Sequence, residues 1–497
     1  MTTVDVRPWG KRNLWLSSTG QIVVRNGFRR IHAPEAGYRF LGGFSIKNGR
    51  TGEMIHHIVD MRTTKPYGVR VHVLDAAFSI FQTFNTGSEV EPPAVTFAPV
   101  FSELLIGLGP DIPLIWGQIG VGLTWATAQA SDSKASNIDP LPRGIVCAWN
   151  NRAIVADGWN MFISDPVALD GGTIRSFIGA NVNQRPGGIY GMHEGAHGMI
   201  VAVTSAGVYG LDSAASAIGV IGSNGADWRL LNHNVATSYE SSCVVRGRVF
   251  GLTQNGFSLI DVESDAEQSL SDREMVRGNH DRVFSNDWRK ARMFAGDIGP
   301  MIGHADQQAI GVFDMIAGHQ SWWTHGDSDV EMKLRGTLRD IDGDHLLICE
   351  NGIYRVGGDF DGTQALSSIA SYDQPWGGFF GSQPVIPSQN RDVREVHMAA
   401  ANGGHDQRVT LRGESHQETA IADPQGLTIG TDAWDDADSR LTTTPIADVR
   451  VIFGSSAAEP GREMEIEVES HGAGVRVCDA IDVTDANGAK KRPTVDG

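Results

Sequence analysis

The chain has 497 residues, 60 of them glycine, and 20% of its residues are charged. Glycine well above the usual ~7% indicates many tight turns and short strands, and this length allows roughly three domains. The net charge of −18 excludes a general nucleic-acid binder, because neutralising phosphates requires clustered Lys and Arg.

Basic residues concentrate at the start of the chain and acidic residues at its end. Residues 1–31 carry six basic groups against one acidic group, whereas residues 414–497 carry 17 acidic against 7 basic groups. Oppositely charged ends indicate docking between subunits or partners; the alternative is that both are solvated charged faces. The first interpretation makes six residues candidates for a docking arm: Arg7, Lys11, Arg12, Arg25, Arg29 and Arg30.

The cysteine positions and the hydropathy of the chain indicate its redox compartment and whether it spans a membrane. None of the four cysteines forms a C-x-x-C pair, and three lie in apolar strand patterns, so a reducing compartment is expected, with neither a disulfide framework nor a zinc site. Residues 112–130 are uncharged but contain Pro113 and three glycines, which predicts two buried strands rather than a membrane span. The start of the chain lacks the apolar run of a signal peptide.

The clearest pattern is a three-stranded meander at residues 144–166, GIVCAWNNRAIVADGWNMFISDP. Strands are predicted at Ile145–Trp149, Ala153–Ala156 and Trp159–Ser164. The turns between them contain Asn150-Asn151 and Asp157-Gly158, which tolerate the positive φ angles of tight hairpins.

Weaker copies of this meander recur to residue 375, with hairpin turns near residues 150, 205, 247, 317 and 351. A spacing of about 50 residues is typical of four-stranded propeller blades. The predicted fold class is therefore all-β, with a β-propeller-like core and a C-terminal β-sandwich or platform. The predicted domains are a basic arm at 1–30, a propeller-like domain at 31–375, a C-terminal β domain at 376–480 and a flexible tail at 481–497. A charged stretch at 265–294 is a possible insertion, with a short helix at Ser271–Arg277.

A strand at residues 463–470 alternates without error between apolar and acidic residues. One of its faces must be buried, while the other carries a column of carboxylates that favours water, cations or a basic partner. The acidic residues of this column are Glu463, Glu465, Glu467 and Glu469.

Two motifs that resemble metal sites are interpreted as turns. His193-Glu194-Gly195-Ala196-His197 matches H-E-x-x-H, but zincin chemistry requires a helix, and the surrounding glycines and following β-type run predict a hairpin instead. The Asp340–Asp344 stretch lacks the Gly and Glu that a calcium loop requires at its sixth and twelfth positions, so it is predicted to be a hairpin turn. We therefore expect no catalytic residues, no metal and no cofactor.

Residues 150–166, NNRAIVADGWNMFISDP, resemble a segment of the tail nozzle or hub (packaged-DNA stabilisation) proteins of short-tailed bacteriophages. Residues 391–398, 408–412 and 463–469 are similar in layout to the C-terminal β platform of those proteins. The resemblance implies a structural virion protein in the tail, assembled in the host cytoplasm. Its copies would form a ring, usually of six, that contacts portal or adaptor and other tail proteins and passes DNA without sequence-specific binding. In that setting the glutamate column would line the lumen and repel phosphate.

A second functional class remains an alternative to the structural one. A propeller with the tryptophan pair Trp322-Trp323 could instead bind or degrade glycans, although such residues more often pack between blades. A metal-dependent hydrolase using His193, Glu194 and His197 is a third alternative.

Overall fold

A computed structural model gives the architecture of the chain, and every element assigned in its described part is a β-strand. The structure describes residues 9–16, 22–48, 51–101, 103–118, 122–125, 143–158, 160–164, 177–180, 188–195, 198–211, 229–233, 236, 238–253, 256–260, 267–269, 290–297, 299–305, 309–315, 319–325, 330–357, 377–381, 393–401, 407–412, 417–422, 446–452, 465–471, 481–485 and 490–491. Within these ranges no helix is long and apolar enough to cross a membrane.

Seven antiparallel sheets, numbered here from 1 to 7, follow one another along residues 28–356. Sheet 1 contains β5 (Tyr38–Lys47), β6 (Met54–Arg62), β7 (Val69–Leu74) and β8 (Ile80–Asn85). Sheet 2 contains β9 (Thr96–Val100), β10 (Glu103–Gly107), β12 (Ile115–Gln118) and β13 (Gly122–Trp125). Sheet 3 contains β11 (Gly109–Pro113), β14 (Arg143–Trp149), β15 (Arg152–Asp157), β16 (Asn160–Ser164) and β17 (Phe177–Ala180).

The remaining sheets of this series are built in the same way. Sheet 4 contains β18 (Ile189–Glu194), β19 (Ile200–Thr204), β20 (Gly207–Leu211) and β21 (Arg229–Asn232), and sheet 5 contains β22 (Ser242–Val245), β23 (Arg248–Thr253), β24 (Gly256–Ile260) and β25 (Glu267–Ser269). Sheet 6 contains β26 (Ala291–Ala295), β27 (Pro300–His304), β28 (Ala309–Asp314) and β29 (His319–Thr324). Sheet 7 contains β30 (Leu334–Arg339), β31 (His345–Cys349), β32 (Gly352–Val356) and β4 (Phe28–His32). Counting sheet 3 from β14, the first strands of successive sheets begin 43 to 58 residues apart, which confirms the predicted period of about 50 residues.

Apolar clusters between successive sheets close these seven sheets into a ring. Sheets 1 and 2, 2 and 3, 3 and 4, 4 and 5, 5 and 6, and 6 and 7 each share one buried cluster. A last cluster joins sheet 7 to sheet 1 and includes Leu346 and Ile348 on one side and Phe40 and Ile58 on the other. Because each meander buries its apolar faces only against its neighbours, the closed arrangement is a β-propeller.

The hairpin turns form where the sequence predicts them. Asn150 and Asn151 both adopt positive φ, 44° and 62°, between β14 and β15, and Gly158 follows β15 with φ 56°. The meander predicted at residues 145–164 is thus confirmed, with β14 beginning slightly earlier and β16 starting at Asn160. Asparagine and glycine permit this backbone because a short polar side chain, or none, relieves the clash near Cβ.

Sheet 7 is completed by a strand from the start of the chain. β4 pairs antiparallel with β32, with Val356 opposite Phe28 and Ile353 opposite His32. Phe28 is fully buried against Trp323 of sheet 6 and Tyr354 of sheet 7, with ring centroids 6.1 and 6.5 Å away. The first and last propeller segments of the chain are therefore held in one sheet.

The strands before β4 connect the propeller to the C-terminal part of the chain. β1 (Trp9–Arg12) pairs in parallel with β29 and antiparallel with β33 (Gly377–Gly381). The sheet continues through β38 (Glu465–His471), β35 (Gln407–Arg412) and β36 (Gln417–Ala422), giving nine strands with β26–β29. β2 (Leu14–Leu16) and β3 (Ile22–Val24) form a ribbon, and β37 (Ile446–Ile452), β34 (Val393–Ala401), β39 (Ile481–Asp485) and β40 (Lys490–Lys491) form a second C-terminal sheet.

Two predicted segments take a more specific form in the structure. The arm is predicted at residues 1–30, and the strands β1 to β4 between residues 9 and 32 belong to the sheets of blades 6 and 7 and to the β2–β3 ribbon. At the edges of the predicted insertion, β25 and β26 belong to sheets 5 and 6, while the helix predicted at residues 271–277 lies outside the described residues.

The thiols of Cys147, Cys243 and Cys349 are free and buried in strands, where they act as small apolar side chains. Burial raises the pKa of all three thiols, to about 12 for Cys147, where Glu194 adds to the rise. Since the thiolate is the reactive form, these cysteines are chemically inert near neutral pH.

Replacing Phe28 with alanine tests whether β4 closes the ring. We expect the Phe28→Ala variant to lose about 3–5 kcal/mol of stability, because a fully buried ring leaves a cavity between sheets 6 and 7. Phe81→Ala is the matched control, since its ring is 55% exposed and its loss should change stability by less than about 1 kcal/mol. Urea denaturation followed by tryptophan fluorescence measures both; equal midpoints for the two variants would contradict the closure role.

Candidate functional site

The inner strands of the propeller begin at one face, and charged residues from several sheets meet there around the axis. Arg39 lies at the start of β5 and Arg335 at the start of β30, while Glu350 lies in the hairpin between β31 and β32. Arg39 Nη1 lies 3.3 Å and Arg335 Nε 2.8 Å from the same Glu350 Oε1, and Arg335 Nη2 also donates to this oxygen. Arg39 Nη2 extends the network to Glu91 Oε1 at 2.8 Å.

Glu240 carries this network across the middle of the propeller. It immediately precedes sheet 5 and has φ 57°, and its carboxylate accepts from Arg292 Nη1 of sheet 6 at 2.6 Å. Its other oxygen accepts from the backbone N–H of Val95 at 2.6 Å, just before sheet 2. Sheets 2 and 5 are not neighbours in the ring, so this hydrogen bond spans the axis and closes it at this level.

Arg335 is the most buried cation of this network, with 5% of its side chain exposed. Burial lowers the pKa of its guanidinium, the charge of Arg292 adds to the fall, and Glu350 and Glu240 oppose it. Three arginines and three glutamates therefore neutralise one another at this mouth of the axis, which is an arrangement that fixes sheets rather than one that activates a nucleophile.

The H-E-x-x-H motif lies on a hairpin, as predicted. His193 and Glu194 end β18, and the N–H of Gly195 donates to Met199 O at 2.7 Å to close the turn before β19. Consecutive strand residues point to opposite faces, and His193 is partly buried while Glu194 is exposed. His197 lies outside the described residues. The strand geometry differs from the shared helix face on which zincins hold their metal.

His193 instead joins two sheets. Its Nε2 lies 2.7 Å from Ser242 Oγ of β22, and burial lowers the pKa of the imidazole to about 4. In the described part of the chain no group of three or more His, Cys, Asp and Glu side chains is arranged to hold a metal ion.

Asp340 organises the hairpin between β30 and β31. Its Oδ1 accepts from the N–H groups of Asp342 and Asp344 at 3.0 and 2.8 Å, and its Oδ2 pairs with Arg355 Nη2 at 2.6 Å. Gly343 adopts φ 88° in the same turn. The prediction of a hairpin turn here is confirmed, with Asp340 bound to backbone and arginine.

A second polar cluster, missed by sequence reasoning, lies inside sheet 1. Asp60 accepts two hydrogen bonds from Arg70, at 3.0 and 2.6 Å, and its Oδ2 lies 3.0 Å from His72 Nε2. His72 Nδ1 lies 2.9 Å from Thr83 Oγ1. Burial alone would raise the pKa of Asp60, but the hydrogen bonds from His72 and Arg70 outweigh it and lower that pKa. Because Arg70 binds both carboxylate oxygens, the cluster is a structural ion pair.

The structure places the docking-arm candidates at several different positions. Arg25 is buried, with Nε 2.9 Å from Asn13 Oδ1, Nη2 2.6 Å from Thr324 O, and its guanidinium 3.6 Å from the Phe28 ring centroid. Lys11 and Arg12 lie in β1, Arg29 and Arg30 lie in β4, and Arg7 lies outside the described residues. Through its hydrogen bond to Thr324, Arg25 thus links the segment that leads into β4 to sheet 6 of the same chain.

The glutamate column falls on β38, which is paired on both sides within its sheet. Its register with β35 places Arg412 opposite Glu465, Thr410 opposite Glu467 and Arg408 opposite Glu469. Glu463 lies outside the described residues. Residues that are directly opposite share a face of the sheet, so two positions of the column each have an arginine position opposite them.

Comparison with known proteins adds a fold likeness and no function. No protein-family model and no curated protein matches the chain. Among solved structures, YCF48 from Cyanidioschyzon merolae shares 10% identity at a TM-score of 0.40, over 67% of this chain and 99% of that one. A streptogramin B lyase shares 10% identity at a TM-score of 0.32, over 54% and 93% of the two chains. PorZ of Porphyromonas gingivalis shares 11% identity at a TM-score of 0.38, over 80% and 46%.

Removing the Glu240 carboxylate tests the axial network. We expect Glu240→Ala to cost about 3–5 kcal/mol of stability, because Arg292 and the Val95 N–H lose a buried partner. Glu331→Ala removes a carboxylate that is 48% exposed and pairs with Lys333, and should cost below about 1 kcal/mol. Thermal and urea unfolding of both variants provide the measurement; an effect of Glu240→Ala as small as that of Glu331→Ala would refute the axial role.

The lowered pKa of the partly buried His193 predicts an acid-sensitive fold. The folded protein resists protonating this imidazole until about pH 4, whereas the unfolded chain takes up the proton near pH 6.5. Stability should therefore fall as the pH drops from 6.5 towards 4, by about 3 kcal/mol for this group, and its contribution should be flat above pH 7. His193→Gln should show a shallower decline across that window in urea unfolding at stepped pH. His233→Gln, which alters an exposed imidazole, should keep the wild-type slope.

Proposed function

We propose that this chain is a structural subunit of a virion tail, a nozzle or hub protein whose copies assemble into a ring-shaped conduit for phage DNA. The observation that carries the proposal is the nine-stranded sheet that connects propeller sheet 6 to the C-terminal strands through β1. Such a sheet makes the propeller and part of the C-terminal unit one hydrogen-bonded body. That is a useful property for a subunit that must transmit load between neighbours in a ring.

The charges of the described residues support a scaffold more than an enzyme. The most buried ion pairs, Arg335–Glu350, Arg292–Glu240 and Arg70–Asp60, connect strands and sheets to one another. Trp323, considered above as a sugar-stacking residue, is only 3% exposed and packs between sheets 6 and 7. The burial of Trp323 therefore does not favour the glycan-binding alternative.

The acidity of the chain fits passage of DNA through a lumen. The net charge is −18, and a surface rich in carboxylates repels phosphate instead of retaining it. In the proposed ring the glutamate column on β38 faces the lumen and the basic residues of β1 dock on an acidic neighbour, with portal or adaptor proteins as further partners. These assignments follow from the sequence resemblance and the charge pattern.

Native mass measurement at several concentrations, with negative-stain images of the same sample, tests the proposal. We expect a ring with a central channel, probed further by the double variant Lys11→Glu and Arg12→Glu, which should lose the ring. Deleting residues 1–31 is unsuitable, because it would remove the buried Phe28 and Arg25. Lys47→Glu with Lys65→Glu is the matched charge control, since both lysines are exposed and lie outside β1.

A chain that stays monomeric, both alone and with purified portal or adaptor protein, would contradict the ring. Saturable polysaccharide binding by that monomer would then favour the glycan-binding class. A ring that survives the β1 charge reversal would retain the conduit but reject β1 as its docking element.

A further inference from the structure

Two consecutive histidines of β6, His56 and His57, are buried in the two junctions that hold sheet 1 in the ring. Consecutive residues of a strand point to opposite faces of its sheet. His56 lies opposite Leu74, which belongs to the cluster joining sheet 7 to sheet 1. His57 lies opposite Val73, which belongs to the cluster shared by sheets 1 and 2. The two side chains are 0% and 4% exposed, so each junction of sheet 1 contains a buried imidazole.

Neither imidazole has the hydrogen-bond partners that a proton on both ring nitrogens would require. His56 Nδ1 lies 2.8 Å from Ser45 Oγ, and the ring stacks on Phe78 with centroids 4.4 Å apart. His56 Nε2 and His57 Nδ1 are buried and have no hydrogen-bond partner among the described residues. Because a protonated imidazole carries two N–H donors, each ring would leave at least one buried donor unsatisfied in the closed propeller, which destabilises that state.

The charges around these histidines do not offset their burial. Burial lowers the pKa of His56 to about 4, although Asp340 of the β30–β31 hairpin and Asp75, which follows β7, oppose the fall. Both carboxylates are already bound, Asp340 to Arg355 and Asp75 to backbone N–H groups of its own turn. Burial also lowers the pKa of His57 to about 4, and the charge of His56 adds to the fall. Each junction therefore favours the neutral imidazole.

Other ionisable groups at the junction of sheets 7 and 1 do not supply a carboxylate for His56. Asp60, on the same face of β6, is bound by Arg70 and His72. From sheet 7, His32 of β4 stacks on the same Phe78 ring, with centroids 5.8 Å apart. Burial lowers the pKa of His32, and the charge of His72 adds to the fall. Acid therefore adds positive charge to this junction from both of its sheets.

We propose that sheet 1 is an acid-operated gate of the propeller: protonation of His56 and His57 releases this sheet from sheets 7 and 2 while the other sheets stay folded. In the described part of the chain sheet 1 shares no β-ladder with another sheet, so its junctions are held by side-chain packing and hydrogen bonds such as Phe40 N–H to Glu350 O at 3.0 Å. Once the sheet separates, water provides acceptors for both N–H groups of each imidazolium. The gate is a property of a single copy, so its test does not depend on the proposed assembly of copies into a ring.

Hydrogen–deuterium exchange of the full chain at stepped pH from 7 to 5, corrected for intrinsic exchange rates, tests the gate. A histidine that titrates near 6.5 when exposed and about 4 when buried should raise the opening equilibrium of sheet 1 about 20-fold between pH 7 and pH 5, with little change above pH 7. At pH 5 we expect residues 54–74 to be at least about tenfold less protected than residues 143–157 of sheet 3, which contain no histidine. Equal protection of the two sheets at every pH would show that the chain opens as a whole, and would overturn the proposal.

The double variant His56→Gln with His57→Leu should lose most of this rise, because neither replacement takes up a proton between pH 7 and pH 5. His193→Gln is the matched control, since it removes a partly buried imidazole between sheets 4 and 5 and should leave the rise in sheet 1 unchanged. Circular dichroism at pH 7 checks that each variant is folded, and the single variant His56→Gln, which should reduce the rise about 20-fold, replaces the double variant if that one is unstable. Protection should return when the pH is restored to 7; permanent loss of protection, or a rise that survives removal of the histidines, would contradict the gate.

Discussion

The propeller depends on the pairing of β4 with β32, because it completes the last propeller sheet with a strand from the start of the chain. Each sheet of the ring covers its apolar faces only with its neighbours, so an incomplete sheet 7 would expose buried residues of sheets 6 and 7 together. Phe28 fills that junction, and Arg25 secures it by donating to Asn13 and Thr324. A basic residue that resembles a surface group in the sequence therefore serves the core.

Local sequence chemistry predicts the blades well and their closure poorly. Asn150-Asn151 and Gly158 determine turns through their own backbone preferences, so these hairpins can be placed from a few letters of sequence. The partner of β4 lies more than 300 residues away, and nothing in FRRIH identifies the strand with which it pairs. Its two apolar and two basic residues fit an outer strand and a free arm equally well, since both leave one face to solvent. The distinction is made only by the tertiary contacts of Phe28.

The axial network is hidden from sequence analysis for a similar reason. Arg335 and Glu240 are single charged residues beside apolar strands, and a charge in that position ordinarily indicates a strand end in water. What makes them a site is that the inner strands of a propeller all begin at one face and converge there. A usable sequence signal is position within the repeat: both residues lie within a few positions of the start of an inner strand.

Closure of the axis limits how any conduit could be built from this chain. The Glu240 carboxylate and the Val95 N–H meet at 2.6 Å across the ring, so at that level the centre of the propeller is filled by a hydrogen bond and its flanking arginines. DNA cannot pass through such an axis without breaking buried ion pairs, at a cost comparable to a large share of a domain's stability. In the proposed ring the lumen would therefore be enclosed between copies, by the outward surfaces of several subunits related by rotation. In that geometry each surface charge is repeated once per copy around the channel. The sign of the exposed faces then governs the behaviour of DNA more than any single site within the propeller.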